Sequence, residues 1–381
     1  MTYRVGESAT VLPDGRVLVV GGASAAHPGK GDPDAPSALW VPDSALWLRC
    51  PGPRHPRAHH VAVALSDGRL MVLGGIEAIA APNGPPELAV LPPEIFDPRT
   101  LRWSPATSPG TLTHVHNAVC LASGAVLAMG AHVGDSEWWR RGAAYDPTTD
   151  RWSDVGPITR VLSSSLAQLG TGDALTAGGF LPEFEPPARV WPRVFGEAAV
   201  YRASTGAWTA VKSMRQPRAE HLTLALPDGR AIVIGGMAQA EHLDAIRQSG
   251  EIPLASTEVF DPATELWADG PNLLTARTPA TGAVLADGRL LVVGTHDVVG
   301  VSSPHRRGCA EILDLEAGTS TPIAEPLADP LSSLVGLPDG RAFAYGAMGD
   351  PSTEVFDPAT GVWTALPPPE PPAFEPPSRT D

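Results

Sequence analysis

The chain has 381 residues and a formal net charge of −15, from 42 acidic and 27 basic residues. This excess of acid disfavours binding to nucleic acid or to an anionic membrane surface, and no apolar run approaches the roughly 18 residues that a membrane-spanning helix needs. Three scattered cysteines do not form a disulfide framework, and no leader peptide is visible, so we expect a cytoplasmic protein. We also expect a monomer.

One short phrase, an Asp-Gly-type turn followed by an apolar run, occurs seven times along the chain. An apolar run of strand length precedes most copies, which is the sequence pattern of a β-hairpin. The copies begin roughly 48 to 59 residues apart, in or just above the range of periods typical of repeat architectures. In chain order they are DGRVLVVGG at Asp14, DGRLMVLGG at Asp67, SGAVLAMGA at Ser123, TGDALTAGG at Thr171, DGRAIVIGG at Asp228, DGRLLVVGT at Asp287 and DGRAFAYGA at Asp339.

A second phrase follows each copy of the first, with an Asp-Pro-type turn and, in all copies but the one at Ala310, a Trp that opens the next strand. Each repeat therefore predicts four strands, and seven four-stranded sheets arranged radially form a propeller, which solves the sheet-edge problem by repetition. In chain order the copies are ALWVPDSALW at Ala38, EIFDPRTLRW at Glu94, AAYDPTTDRW at Ala143, AAVYRASTGAW at Ala198, TEVFDPATELW at Thr257, AEILDLEAGTS at Ala310 and TEVFDPATGVW at Thr353.

The pairing of a double glycine with a downstream E-x-[FY]-D-P-x-T-x-x-W resembles the kelch repeat over about residues 3 to 366. The resemblance implies an all-β, seven-bladed β-propeller of four-stranded antiparallel blades. It is nearly silent on function, because kelch propellers include binding scaffolds, oxidases and sugar-processing enzymes. We predict one domain with blades at about 1–52, 53–107, 108–157, 158–213, 214–271, 272–325 and 326–366.

Three further expectations concern the closure of the ring, the C-terminal tail and a short helix. Repeat one begins with its innermost strand and repeat seven ends with its outermost strand, so blade 7 should pack on blade 1 without a blade shared between the termini. The Pro-rich tail 367–381 should be extended or disordered. EHLDAIRQ at Glu241 is the best candidate for a short helix.

The histidines all fall on one face of the predicted disc. We call this the loop face: it carries the connections between strands two and three and those between blades, whereas the Asp-Gly and Asp-Pro turns lie on the opposite turn face. Three residues beyond the Arg position that opens each repeat, an aligned column reads Glu7, His60, His116, Ser164, His221, Ala280 and Ser332. Residues in one register on the innermost strands are expected to have similar depth and direction.

This column predicts a transition-metal site near the axis. His60, His116 and His221 would be ligands, and Glu7, His132 or His296 would complete the set; imidazole and thioether groups together favour copper or iron, with zinc also possible. The leading hypothesis is therefore a metal-dependent enzyme, an oxidoreductase in preference to a hydrolase, that acts on a small molecule or peptide. The galactose oxidase arrangement fits poorly, because of the four tyrosines only Tyr3 falls near this face.

A second interpretation needs no metal. Many kelch repeats have Arg and, three residues later, His at the entry to strand one, so His60 and His221 can equally fix a corner of the backbone. The protein would then be a non-catalytic peptide- or protein-binding scaffold that uses its long strand two–three loops. In both cases aromatic and basic residues on the loop face are candidates for the ligand pocket, which is also the composition of a protein-binding surface. They are Trp138, Trp139, Arg140, Arg141, Phe184, Trp191 and Arg193, with the apolar Met237 as a further candidate.

Overall fold

The structure is a computed structural model that describes residues 6–22, 37–79, 87–110, 112, 114–131, 140–158, 165–181, 193–239, 251–278, 280–295, 308–326, 331–346 and 352–367. These residues form seven four-stranded antiparallel sheets, the blades of a β-propeller, so the predicted all-β fold is confirmed. The helix expected at Glu241 lies outside the described residues. Within the described ranges no helix is long and apolar enough to cross a membrane.

The first four blades contain the strands β1 to β18, of which β7 and β8 form a separate two-stranded ribbon in blade 2. Their bounds are β1 Ser8–Val11, β2 Val17–Val20, β3 Ser37–Val41, β4 Leu46–Cys50, β5 Val61–Ala64, β6 Leu70–Leu73, β7 Ile76–Ile79, β8 Glu87–Val90, β9 Glu94–Asp97, β10 Arg102–Pro105, β11 His114–Cys120, β12 Val126–Ala131, β13 Arg140–Asp146, β14 Arg151–Pro157, β15 Ser165–Gln168, β16 Ala174–Leu181, β17 Arg193–Arg202 and β18 Ala207–Val211.

The last three blades contain β19 to β32, with β21 and β22 as a second separate ribbon in blade 5. Their bounds are β19 Leu222–Ala225, β20 Ala231–Ile234, β21 Met237–Gln239, β22 Glu251–Pro253, β23 Thr257–Asp261, β24 Leu266–Asp269, β25 Ala280–Val284, β26 Leu290–Thr295, β27 Gly308–Asp314, β28 Thr319–Ile323, β29 Leu331–Gly336, β30 Ala342–Gly346, β31 Thr353–Asp357 and β32 Val362–Leu366. The blade boundaries drawn from the sequence stay a prediction.

The Asp-Gly phrase forms the predicted turn between strands one and two. In blade 1, Gly15 has φ of 85°, which glycine adopts without a side-chain clash, and Asp14 accepts hydrogen bonds from both the backbone and the side chain of Arg16. The apolar run after the turn is strand two, and all four residues of β2 are buried between neighbouring blades. Strand four is the outermost and is mostly exposed, as in β10.

The ring closes where blade 7 packs on blade 1. The innermost strands of neighbouring blades are in contact all the way round, including β29 with β1. Trp40 of blade 1 stacks on Phe343 of blade 7 with 5.1 Å between the ring centroids, and the backbone N–H of Ala9 donates to Ser333 Oγ at 3.2 Å. Trp47 donates its Nε1–H to the carbonyl of Pro367 at 2.9 Å. Closure therefore rests on side-chain packing and hydrogen bonds between two complete blades.

Several blades extend strands two and three beyond the disc on the loop face. The separate ribbons β7–β8 and β21–β22 continue blades 2 and 5, and in blade 4 the pairing of β16 with β17 runs past Gly179 to Leu181 and Arg193. In blade 4 this extension is anchored on the next blade, because Met214 donates its N–H to the carbonyl of Gly196 at 2.7 Å. The loop face therefore carries raised hairpins, whereas the turn face carries short turns.

Candidate functional site

His60 lies in the joint between blades 1 and 2. Its Nε2 is 2.7 Å from Ser8 Oγ of blade 1, within hydrogen-bond distance, and its side chain is buried. The ring packs against Gly21, where a Cβ would lie 2.9 Å from Cε1 of His60 and 2.4 Å from the carbonyl oxygen of Arg57. Only glycine leaves room for this approach, and Gly22 adds an N–H that donates to that carbonyl at 2.9 Å.

His221 repeats this arrangement in the joint between blades 4 and 5. Its Nε2 is 3.0 Å from Ser165 Oγ of blade 4, and a Cβ at Gly178 would lie 2.8 Å from its Cε1. Gly179 donates its N–H to the carbonyl of Arg218 at 2.8 Å. The double glycine of one blade and the Arg-x-x-His of the next therefore form one inter-blade contact, which we call the clasp.

Burial keeps both imidazoles neutral. Burial, as the largest cause, together with the positive charges of the nearby Arg57 and His59 lowers the pKa of His60 to about 3. Burial likewise lowers the pKa of His221 to about 3, with a smaller contribution from the positive charge of Arg218. In both rings Nδ1 is buried and has no hydrogen-bond partner among the described residues, so a proton added there would be poorly accommodated.

Sequence reasoning missed the role of the arginine in this phrase. Arg57 is fully buried and donates from Nη2 to Glu94 Oε1 at 2.7 Å, and Arg218 does the same to Glu258 at 3.0 Å. Arg277 makes the equivalent ion pair in blade 6. The glutamate is the E of E-x-F-D-P. Blades 2, 5 and 6 have both residues, and blades 3 and 4 have neither, whereas blade 1 has only Arg4 and blade 7 only Glu354, so this pair left a partial signal in the sequence.

These glutamates also hold the connection that enters their own blade. Glu94 accepts backbone N–H bonds from Arg54 at 2.7 Å and His55 at 3.1 Å. Glu258 accepts the same pair of bonds from Arg215 and Gln216. In each Arg-x-x-His segment, the backbone carbonyl of the arginine thus accepts a hydrogen bond from the preceding blade, and its guanidinium binds a glutamate of its own blade. These two contacts fix the position of the histidine.

The third histidine of the aligned column has a different environment. A β-bulge interrupts the pairing of β11 with β12 between Val115 and Asn117, and His116 at the bulge is exposed. Val115 instead lies against Gly74 of blade 2, where a Cβ would be 3.3 Å from its own. His116 therefore does not share the buried position of His60 and His221, although the alignment placed all three in one column.

Glu7 occupies the histidine position in blade 1. It is buried, and its side chain lies against Gly22, where a Cβ would be 2.5 Å from Glu7 Cγ. His132 and His296 lie outside the described residues. Among the residues that the structure describes, no three His, Cys, Asp or Glu side chains come together as a group that could hold a metal ion.

The predicted pocket residues are partly described. Met237 is buried at the start of β21, Arg141 lies 4.0 Å from Asp154 as a weak ion pair, and Arg140 begins β13. Arg193 is exposed on the raised hairpin of blade 4, with its guanidinium carbon 5.2 Å from the ring centroid of Phe195. The remaining residues of that set lie outside the described ranges: Trp138, Trp139, Phe184 and Trp191.

The central channel forms a cavity of about 360 Å³ between the innermost strands of blades 2 to 5. Its wall consists mostly of small or apolar residues, with the Cys120 thiol, the Gln168 amide and Thr223 as polar groups. Burial raises the pKa of the Cys120 thiol, which keeps it protonated and weakly nucleophilic at neutral pH. The channel thus has no strongly reactive group among these residues.

Comparison with known proteins agrees with this architecture. No family model matches the chain. Two F-box/kelch-repeat proteins of Arabidopsis thaliana are each 28% identical, over 124 residues (31% of this chain) and 116 residues (30% of this chain). The matched part is 29% of each relative's length, so the chain spans less than a third of these relatives.

A solved structure covers far more of the chain. It is a fungal alcohol oxidase of the AA5 family in complex with copper, with a TM-score of 0.63 and 15% identity over 92% of this chain and 73% of the oxidase. At this identity the likeness shows the fold alone. The repeated phrases, the seven four-stranded blades and the kelch-repeat relatives together identify the chain as a kelch-repeat β-propeller.

Proposed function

We propose that the protein is a non-catalytic binding scaffold whose loop face holds a peptide or an extended segment of a partner protein. The observation that carries this proposal is the use of the repeated histidines: His60 and His221 are buried in inter-blade joints and lie within hydrogen-bond distance of serines. An imidazole in that position stabilises the contact between two blades of the propeller. The interpretation of His60 and His221 as structural residues is therefore favoured over metal binding near the central axis.

The raised hairpins support a ligand on the loop face. They provide side walls that the turn face lacks, and in blade 4 the wall is braced by backbone bonds to the connection before blade 5. Arg193, exposed and stacked on Phe195, is the kind of residue that often anchors a protein interface. Gln239, exposed at the end of β21, is a polar neighbour on the next blade, and β17 is in contact with β21.

Selection from a random displayed-peptide library tests the proposal. Selected peptides should bind Arg193→Ala at least about tenfold more weakly than the parent protein, because truncation of an interface anchor costs more than about 1.4 kcal/mol. Arg99→Ala is the matched control, since Arg99 is an exposed arginine of the turn face with 72% side-chain exposure. Peptides that lose affinity for Arg99→Ala and not for Arg193→Ala would contradict the assignment of the face.

A copper- or iron-dependent oxidoreductase is a second proposal, with zinc as a further candidate metal. The specific observation in its favour is His116, an exposed imidazole at the loop-face end of an innermost strand. The described donors alone do not fit a metal: His60 and His221 belong to separate joints, and each has its Nε2 close to a serine hydroxyl. His132 and His296 would have to complete the set with His116 and Glu7.

Metal analysis separates the two proposals. Protein purified without an affinity tag, with and without chelator treatment, should contain no stoichiometric transition metal if it is a scaffold. A stoichiometric metal that His116→Ala removes and His27→Ala retains would favour the oxidoreductase and refute the scaffold as a complete account.

A further inference from the structure

The turns between strands one and two form a ring of contacts around the turn face. At five of the seven joints, the glycine of one turn lies against the residue that precedes the corresponding turn of the blade before it. A Cβ on that glycine would lie within 3.4 Å of this neighbour. The pairs are Gly15 with Pro338, Gly124 with Ser66, Gly172 with Ala122, Gly229 with Gly170 and Gly340 with Ala286.

The other two joints lack this contact. At Gly68, between blades 1 and 2, and at Gly288, between blades 5 and 6, a Cβ would meet nothing within 4 Å. An arginine spans the first gap, because Arg16 of blade 1 donates from Nη2 to the carbonyl of Pro98 in blade 2 at 3.2 Å. Among the described residues, its counterpart Arg230 makes no such bond to blade 6 and pairs with the aspartate of its own turn. The ring of turns is therefore open between blades 5 and 6.

The outer part of the same joint is also less filled. In the other blades a tryptophan lies near the start of strand four, and in blade 5 Trp267 stacks on Phe260 with 5.1 Å between the ring centroids. Blade 6 has Ser320 opposite Leu313 at these positions. Two smaller side chains thus replace two aromatic rings on the face that blade 6 presents to blade 5.

A cleft of about 510 Å³ lies on the turn face between these two blades. Its volume is in the range of ligand-binding pockets. Leu226 is buried and Leu315 is half-buried in the core of the joint, so they form an apolar base, to which Pro227 adds. The remaining lining residues belong to turns: Asp228, Arg230, Asp287, Gly288, Arg289, Asp314 and Glu316.

The charges of the cleft favour a cation. Four carboxylates face two guanidinium groups, which gives a formal net charge of −2. Both arginines are already paired, Arg230 with Asp228 at 2.6 Å and Arg289 with Asp287 at 2.7 Å. The carboxylate of Glu316 is exposed and has no cationic partner among the described residues. An anionic ligand would therefore meet an excess of negative charge and two arginines that are already occupied, whereas a cation would be attracted.

The turn at Glu316 suits one basic side chain. Asp314 Oδ1 accepts the backbone N–H of Glu316 at 3.0 Å and that of Ala317 at 2.8 Å, which fixes the turn. The aliphatic stem of an incoming arginine can lie on Leu226 and Leu315 while its guanidinium pairs with Glu316. Arginine fits this position better than lysine, because its planar guanidinium binds a carboxylate through two parallel hydrogen bonds.

We propose that this turn-face cleft is a docking site for an arginine side chain in a basic segment of a partner protein. Charge complementarity identifies the occupant: the cleft is net negative, and the net charge of −15 on the whole chain steers a basic segment towards it. The site lies on the face opposite the proposed peptide-binding surface and does not depend on it. The propeller would then bind one partner on each face of the disc.

Binding of fluorescein-labelled hexa-arginine, followed by anisotropy at physiological ionic strength, tests the proposal. Hexa-citrulline, which has a similar shape and no charge, is the control peptide. Glu316→Lys should bind hexa-arginine at least about tenfold more weakly than the parent protein, because it reverses the charge that the guanidinium contacts. Glu325→Lys is the matched control, since Glu325 is an exposed glutamate of the same blade that follows strand four. It should change the affinity less than about twofold.

A photoreactive group at the centre of hexa-arginine locates the bound peptide by mass spectrometry. Cross-links should fall at 226–230, 287–289 or 314–316. Equal losses of affinity in Glu316→Lys and Glu325→Lys would overturn the proposal, because they would show attraction to the total charge alone. Cross-links confined to the loop face would also overturn it, as would a parent protein that binds hexa-arginine no better than hexa-citrulline.

Discussion

Replacement of both clasp histidines by glutamine should make the propeller less sensitive to acid. His60 and His221 stay neutral in the folded protein because burial lowers the pKa of each to about 3, whereas the unfolded chain has the ordinary value of 6.5. Below pH 6.5 the unfolded chain therefore binds more protons than the folded ring. Stability is retained in full above about pH 6.5 and is lost as the pH falls toward 3.

The size of the effect follows from the difference between the pH of the assay and the pKa of histidine in the unfolded chain. One pKa unit corresponds to about 1.4 kcal/mol, so at pH 5 each histidine lowers the free energy of unfolding by about 2 kcal/mol. His60 lies between blades 1 and 2, and His221 lies between blades 4 and 5, so the two residues share no contact. Their losses of unfolding free energy should therefore add to about 4 kcal/mol.

Denaturant unfolding at pH 7.5 and pH 5, with chelator present throughout, measures this difference. The parent protein should lose about 4 kcal/mol more between the two pH values than His60→Gln/His221→Gln does, and each single variant should recover about half. Carboxylates titrate equally in all of these proteins and cancel in the comparison. An identical pH dependence in the parent and the double variant would refute the assignment of both imidazoles as buried and neutral.

Three further predictions concern the joints. Trp267→Phe should cost about 1 kcal/mol of unfolding free energy, because it removes the hydrogen bond from the indole N–H to the Lys212 carbonyl of the preceding blade. Trp208→Phe should cost less in the same denaturant assay, because its indole N–H has no acceptor among the described residues. Glu258→Leu should cost about 3–5 kcal/mol because it leaves a buried arginine without its carboxylate; a change below 1 kcal/mol would contradict this. Gly178→Ala, where the Arg218 carbonyl lies 2.4 Å from the new Cβ, should lower Tm more than Gly206→Ala, which has a similar positive φ and a new Cβ in ordinary contact with Tyr201 Oη at 3.8 Å; equal shifts would show that the backbone strain alone decides.

Much of the fold could be predicted from the repeats, because the turns and strands of each repeat depend on residues that are close together in the chain. An Asp-Gly pair such as Asp228–Gly229 turns the chain because glycine adopts a positive φ without strain, and the continuous apolar run after it indicates a strand that is buried on both faces. The structure confirms seven four-stranded blades on this basis. Closure without a shared blade also followed from the phase of the repeats, since strand one of the first copy and strand four of the last both lie inside complete sheets.

The candidate site was harder to predict from the sequence. Alignment placed His116 in one column with His60, but a one-residue bulge beside Val115 is set by pairing with β12 and leaves no sign in the repeat phrase. The ion pair of Arg57 with Glu94 was also missed, because its two halves belong to phrases that we treated as separate structural features.

The sequence by itself determined the number of blades, the order of their strands and the face on which His60 and His221 lie, because turns and strand periodicity depend on residues close together in the chain. Only the tertiary structure decided what those histidines contact. Ser8 and His60 are 52 residues apart, and Ser165 and His221 are 56 apart, so each pair meets only when one blade packs on the next. Their burial and their neutral state are therefore properties of the joints, which no single repeat contains.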